Sequence, residues 1–413
     1  MRRRFEPLRV RPFGRLLGSY TVNDLGDSIG VVALSVLVFD RTGDVAPTAG
    51  FFLVAKFLPA LFATGLTAHL DRFSLRRALP AIYVIEAIVF AALGFLAIGD
   101  RFFLPLVLLL GLVDGTLAIT GRGLTRGAVA AALQPHALIA EGNALMNLGF
   151  AAASVFGAAL AGGLIAAFGV SAALFVDAGS FLVIAVWLAT ARDLPRIEHH
   201  AYESWYHRFR DGIAFARGDR TIRTLLLGQA LALICFTVVV PIEVIYAKES
   251  LGTTSAGFGL LLSAWGAGIV LGSLLFLVVR KRSAAPLILL STLAIGAGYL
   301  GMAVSRELWL ACAFSVIGGL GNGIQWVSVM TALQESTPHD LQARITGLLE
   351  SIASAMTGVG FLIGGIVTAL FSPPTAFAVS GIGVVLLVLL GAGFRAVPET
   401  RADRWKEGES PAA

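Results

Sequence analysis

The chain has 413 residues, of which 57% are hydrophobic and only 14% charged, and a net charge of +5. A soluble globular domain carries about 25% charged residues, so a chain this apolar cannot cover a water-facing surface, and lipid must be the solvent for most of it. The two cysteines, Cys235 and Cys312, stand in apolar runs; they offer no disulfide framework and no metal-ligand spacing.

Crossing ~30 Å of hydrocarbon takes about 20 apolar residues. Runs of that kind are expected near 16–39, 49–70, 78–98, 102–125, 140–168, 172–191, 222–246, 257–279, 286–304, 308–332, 342–371 and 375–395, which makes twelve spans. Helix is the expected form, because backbone polar groups in lipid must be satisfied within the segment. The runs also lack the two-residue alternation of a membrane barrel. The Arg-rich start, Met1 to Arg15, leads into the first run without a small-residue cleavage site, so no signal peptide is expected.

Orientation follows from the basic residues. With the N-terminus inside, the cytoplasmic segments hold 26 Lys and Arg, while the outer loops hold four: Arg41, Arg101, Lys248 and Arg306. The positive-inside rule therefore places both termini in the cytoplasm.

The chain repeats itself at about half its length. Thr48-Ala-Gly-Phe51 returns as Ser255-Ala-Gly-Phe258, and Gly65 as Gly272, at an offset of 207. Ala132-Leu-Gln134 returns as Ala332-Leu-Gln334, and Gly157 with Gly162 returns as Gly360 with Gly365. Gly111-Leu-Val-Asp-Gly115 matches Gly319-Leu-Gly-Asn-Gly323 at 208, a register that conflicts with its neighbours at 200. Such a period implies two parallel, pseudo-symmetric six-helix bundles: 1–191 and 222–395, joined by a linker at 192–221 and followed by a cytoplasmic tail at 396–413. In the linker, Tyr202, Trp205, Tyr206, Phe209 and Ile213 share a helical face opposite Arg208, Arg210 and Arg217. That pattern suits a helix lying in the membrane interface.

Several motifs resemble one family. The loop Asp71-Arg-Phe-Ser-Leu-Arg-Arg77 is similar to the signature loop of the major facilitator superfamily, and Gly157-Ala-Ala-Leu-Ala-Gly162-Gly163 to its antiporter motif. Lys56-Phe-Leu-Pro59, Glu141-Gly-Asn-Ala-Leu145 and the 192–223 stretch resemble the bacterial branch that includes macrolide and enterobactin exporters. The resemblance implies an all-α membrane protein of the major facilitator fold in a bacterial inner membrane. It also implies that Asp71, with Arg72, Arg76, Arg77 and Arg122, latches the cytoplasmic side against the helix starting near Leu341. Topology anchoring is the alternative for the arginines.

A charge within a span costs at least ~2.5–3.5 kcal/mol at the helix centre and marks function by default. Asp27 and Asp114 both lie ~17–18 Å deep at 1.5 Å per residue, and the Lys56 stem can reach toward either. In the resembled family, helices 1, 4, 7 and 10 line the cavity, which puts both aspartates beside the substrate path. These three, with Asp24 and Glu86, are the expected proton-coupling residues; a purely structural ion pair is the competing account. Asp177 and Glu243 read as interface or capping residues. Asn23, Asn147, Gln229, Asn322, Gln325 and Trp326 are expected to line the cavity, although interhelical hydrogen bonding explains any one of them equally well.

No G-x-x-x-x-G-K-[ST] or H-E-x-x-H motif occurs. The expectation is a non-enzymatic, monomeric secondary transporter with no catalytic residue, metal, cofactor or nucleic-acid partner. It would export lipophilic or amphipathic drugs in exchange for protons; export of a siderophore or other metabolite, or lipid flipping, are the alternatives. Single cysteines introduced at Thr42 and Thr253 should then label from outside the cell, and ones at Ser74 and Ser283 only after permeabilisation. The reverse pattern would invert the orientation.

Overall fold

The computed structural model describes residues 2–70, 73–136, 138–191, 194, 213–279, 284–337 and 342–393. Among the described residues there is no strand, and twelve helices are long and apolar enough to cross a membrane. They are α1 Arg11–Thr42, α2 Val45–Ala63, α3 Leu75–Leu96, α4 Leu104–His136, α5 Glu141–Phe168, α6 Val170–Ala189, α7 Arg220–Ser250, α8 Ser255–Phe276, α9 Ala285–Val304, α10 Leu308–Ser336, α11 Leu348–Leu370 and α12 Pro373–Leu390. Val183, Val186, Leu389 and Leu390 are exposed. Such apolar faces suit lipid and would be a liability in water.

The helices match the expected runs closely, with one instructive difference. α4 was expected to stop at 125, where Arg122 and Arg126 mark a polar end, yet it continues to His136. The arginines do not end the helix because they find partners inside the protein, as described below.

Contacts divide the chain into two compact units: Met1–His200 with Val244–Ser263, and Ala201–Glu243 with Ala264–Ala413. In the first unit α1 packs on α5 and α6, α3 packs on α6, and α4 packs on α2 and α3. Lys248, near the end of α7, pairs with Asp40 of α1. In the second unit α9 packs on α10 and α12, and α7 on α11 and α12. The helical stretch 213–218 lies in the last part of the linker; its Ile213 and Phe215 pack against a core of Ile222, Leu225, Leu226, Leu333 and Leu349. The expected interfacial helix around Tyr202 to Phe209, the loop residues Asp71 and Arg72, and the tail 396–413 lie outside the described residues.

α7 is not one continuous α-helix. Its regular part ends at Thr237, a tight turn covers Val240–Ile242, and a wider π turn closes it over Tyr246–Ser250. Pro241 is the cause, since it has no N–H to offer the carbonyl four residues back. The freed polar groups are claimed by other helices, as lipid requires. Ser380 Oγ donates to the Cys235 carbonyl at 2.6 Å, and Tyr299 Oη to the Phe236 carbonyl at 3.1 Å. The Tyr299 ring also stacks on Trp265 with centroids 5.2 Å apart.

Replacing Tyr299 with Phe removes the hydroxyl and keeps the stack. Membrane hydrogen bonds average about 0.6 kcal/mol, whereas a buried orphaned carbonyl costs about 1–3 kcal/mol. A loss of about 1 kcal/mol in detergent unfolding is expected. No change in midpoint would mean that the carbonyl has another donor.

Candidate functional site

Within the first unit, α1, α2, α3 and α4 surround a small hollow lined by Asp27, Gly30, Val31, Leu34, Phe51, Ala55, Lys56, Phe90 and Asp114. It has room for about one water molecule. The three charged residues expected from sequence to act together therefore do meet here. Lys56 is placed by a local widening of α2 into a π turn over Leu53–Phe57, a feature frequent at functional sites.

Asp27 is the best satisfied of the carboxylates. Arg122 Nη2 lies 3.4 Å from Asp27 Oδ2, and Asn23 Nδ2 donates to the same oxygen at 3.2 Å. Arg122 Nε also donates to the Ala118 carbonyl at 3.3 Å, which fixes the guanidinium along its own helix. Sequence grouped Arg122 with the latch and Asn23 with the cavity; the structure brings both to Asp27. Asp114 differs, because it is buried and its Oδ1 has no hydrogen-bond partner. Lys56, Asp27 and Arg122 are its electrostatic neighbours. Asp24 is also buried, with Oδ2 unpartnered, and both Arg122 and Arg126 act on it.

The remaining expected residues separate. Gln325 Nε2 donates to Gln229 Oε1 at 2.7 Å, so these two bind each other between α10 and α7. Asn322 is half-buried, while Trp326 and Asn147 are exposed. Arg76 and Arg77 are exposed at the start of α3. Of the antiporter-like glycines, Gly157 packs on α1 at Leu25 and Ser28, Gly162 meets the backbone of Ser255 and Ala256, and Gly163 faces open space.

Sequence reading missed Asp177. It was expected to be an interface or capping residue, yet its carboxylate lies against Gly26 and Gly30 of α1. The available signal was that glycine pair, spaced four apart, which permits close helix approach. The same stretch, Gly26-Asp27-Ser28-Ile29-Gly30, fits the G-x-S-x-G spacing of serine hydrolases. Here it is mid-helix rather than on a strand-to-helix turn, and Ser28 Oγ donates to the Asp24 carbonyl at 2.8 Å. Ser28 is not presented as a nucleophile.

The Asp27–Arg122 pair can be weighed by substitution. Breaking a fully buried pair costs about 3–5 kcal/mol, but the Arg122 side chain is 33% exposed. Arg122→Gln should therefore cost about 1–2 kcal/mol. Adding Asp27→Asn should recover most of it, as read from a double-mutant cycle of unfolding midpoints. Additive losses would show that the two do not interact.

The model of a family described as transmembrane secretion effector matches residues 3–410. An uncharacterised MFS-type transporter of Bacillus subtilis (strain 168), YfiS, is 24% identical over 285 residues, which cover 65% of this chain and 67% of the relative. Among solved structures, a variant of the nucleoside transporter NupG has a TM-score of 0.77 at 12% identity, covering 94% of this chain and 100% of that one. A bacterial homologue of the human lysosomal transporter Spinster, inward-facing and unoccupied, has a TM-score of 0.70 at 16% identity, covering 97% and 100%. A D-xylose–proton symporter has a TM-score of 0.68 at 15% identity, covering 94% and 98%. At such identities the likeness is one of fold, and the substrates of those proteins remain their own. With twelve spanning helices and a family match running almost end to end, the chain belongs to the transmembrane secretion effector family of major facilitator transporters.

Proposed function

We propose that this transporter exports lipophilic or amphipathic small molecules in exchange for protons, by alternating access, across a bacterial inner membrane with both termini in the cytoplasm. The observation that carries this reading is Asp114: a buried carboxylate with an unpartnered oxygen, facing a hollow it shares with Asp27 and Lys56. A carboxylate in such a place is costly unless paired, and a proton is the smallest ligand that removes the cost. Protonating Asp114 also cancels its attraction for Lys56. One chemical event thus changes both the charge of the hollow and the hold between α4 and α2, as a coupled transporter requires.

The test is transport of a dye panel in proteoliposomes, with and without an imposed pH gradient. Asp114→Asn should abolish uphill export while leaving binding of a neutral substrate within a few-fold, since an amide keeps the volume but cannot exchange a proton. If Lys56→Met with Asp114→Asn restores gradient-driven export, the pair is structural and the coupling role fails. Full gradient-driven export by a stable Asp114→Asn protein sinks it as well.

A further inference from the structure

Two more carboxylates of this unit are buried outside the lining of the hollow. Asp177 on α6 is 0% exposed, as is Glu86 on α3. The two helices pack closely, and α6 also packs on α1. Asp177 Oδ1 accepts from Ser180 Oγ at 3.3 Å, but Asp177 Oδ2 has no partner. Neither carboxylate oxygen of Glu86 has one. The Asp177 carboxylate occupies a notch where α1 has no side chains. A Cβ at Gly26 would overlap Oδ1, and one at Gly30 would come within 2.6 Å of both Oδ2 and Phe90 Cε1. Gly30 also lines the hollow, so a single side-chain-free turn of α1 separates Asp177 from the Asp27–Asp114 side.

Charge accounting decides what these groups hold. The interior of this unit gathers five carboxylates: Asp24 and Asp27 from α1, Glu86 from α3, Asp114 from α4 and Asp177 from α6. Three cations face them: Lys56 from α2, with Arg122 and Arg126 from α4. Arg122 is committed to Asp27, Arg126 acts on Asp24 and Tyr20, and Lys56 faces Asp114 across the hollow. The strongest charged neighbours of Glu86 are Asp114, Asp27 and Asp177, and those of Asp177 are Asp27 and Asp114, all carboxylates; Arg122 acts on Glu86 and Lys56 on Asp177 more weakly. Two carboxylates are thus in excess, and they are the two with no cation of their own. An unpaired ionised carboxylate is not tolerated in a water-free interior.

We infer that Glu86 and Asp177 form a second proton-binding site, made of groups outside the lining of the hollow, with each group holding one proton in this conformation. The site builds on the proton-coupled reading above and extends it. The Asp177 proton leaves as α1 moves off the notch and water or the Asp27–Asp114 side becomes reachable. The O–H bond of the acid then breaks, the proton passes to water or to a neighbouring carboxylate, and a carboxylate remains. Shifting α1 and discharging this site are therefore one event.

The test reads protons on carboxyl groups rather than transport. Purified full-length protein in nanodiscs at neutral pH should show the carbonyl-stretch infrared band of a protonated carboxylic acid, shifting on transfer to deuterium oxide. Glu86→Gln and Asp177→Asn should each remove part of that intensity, and the double variant should remove both parts. A band region identical in wild type and both variants would overturn the proposal, because the two groups would then be ionised. If a variant does not fold, the wild-type band in deuterium oxide still decides: its absence overturns the proposal. Failure of Asp114→Asn to affect export would count against the proposed function but would leave this band in place, so the two ideas fail separately.

Discussion

Hydrocarbon offers no partner to a charge, and the interior of the first unit is arranged around that constraint. Asp27 is its fixed point, held by Arg122 at 3.4 Å and Asn23 at 3.2 Å. With that pair satisfied, Asp114 is left with Lys56 across a hollow that holds about one water. Glu86 and Asp177 are left with other carboxylates as their strongest charged neighbours. The packing follows from the same need. Gly26 and Gly30 are small because a carboxylate lies against them. The Phe181 ring stacks on Tyr83 at 6.3 Å and tilts on Phe90 at 5.3 Å, closing α3 to α6 over the acids.

The repeat makes the asymmetry of this arrangement plain. Gly111 and Gly115 of α4 pack on Ala55 of α2, and Gly319 and Gly323 of α10 pack on Trp265 and Ile269 of α8. Both glycine pairs therefore bring corresponding helices of their halves together, which supports the 208-residue register over chance. In that register Asp114 corresponds to Asn322, and at 207 Lys56 corresponds to Ser263, whose Oγ is spent on the Gly259 carbonyl. The backbone geometry is duplicated and the charge is not. In the second unit the buried polar contact between α7 and α10 is the neutral Gln229–Gln325 bond. A neutral amide pair cannot exchange protons under physiological conditions, so this contact is no counterpart of the acid cluster in the first unit.

Most of the fold was legible in the sequence because lipid imposes a one-dimensional rule: about 20 apolar residues per crossing, whatever the neighbours. The Asp27–Lys56–Asp114 group was legible for a related reason, since charges at mid-span have few places to go. What escaped were contacts set by rotation about helix axes, which hydropathy does not encode. Asp177 and Gln325 look alike as polar residues in a span. One presses an unpartnered oxygen into a glycine notch and the other bonds a glutamine. Arg122 was read as a helix end, because an arginine beside a second arginine resembles a membrane boundary until its carboxylate partner is placed. The break in α7 left a visible trace in Pro241, but the donors that make it tolerable, Tyr299 and Ser380, stand 63 and 145 residues away from the carbonyls they serve.

α1 and α7 are counterparts in the repeat, and they differ in a way that matters for motion. α1 is an unbroken helix of 32 residues, ~48 Å at 1.5 Å per residue, with Asp24 buried and Asp27 partly buried along its length. An unbroken helix moves as one piece, so a charge change at Asp27 or at the Gly30 notch is felt along the whole of it. α7 instead has its backbone interrupted over 238–242, with two of its freed carbonyls capped by side chains from α9 and α12. Capping by side chains means that bending there does not orphan those groups in lipid, which removes the main cost of a flexible point at membrane depth. The helix that carries Asp24 and Asp27 is thus the unbroken one, and the break is placed in its counterpart. Bending α1 at mid-span would instead disturb the distance at which Asp27 meets Arg122 of α4.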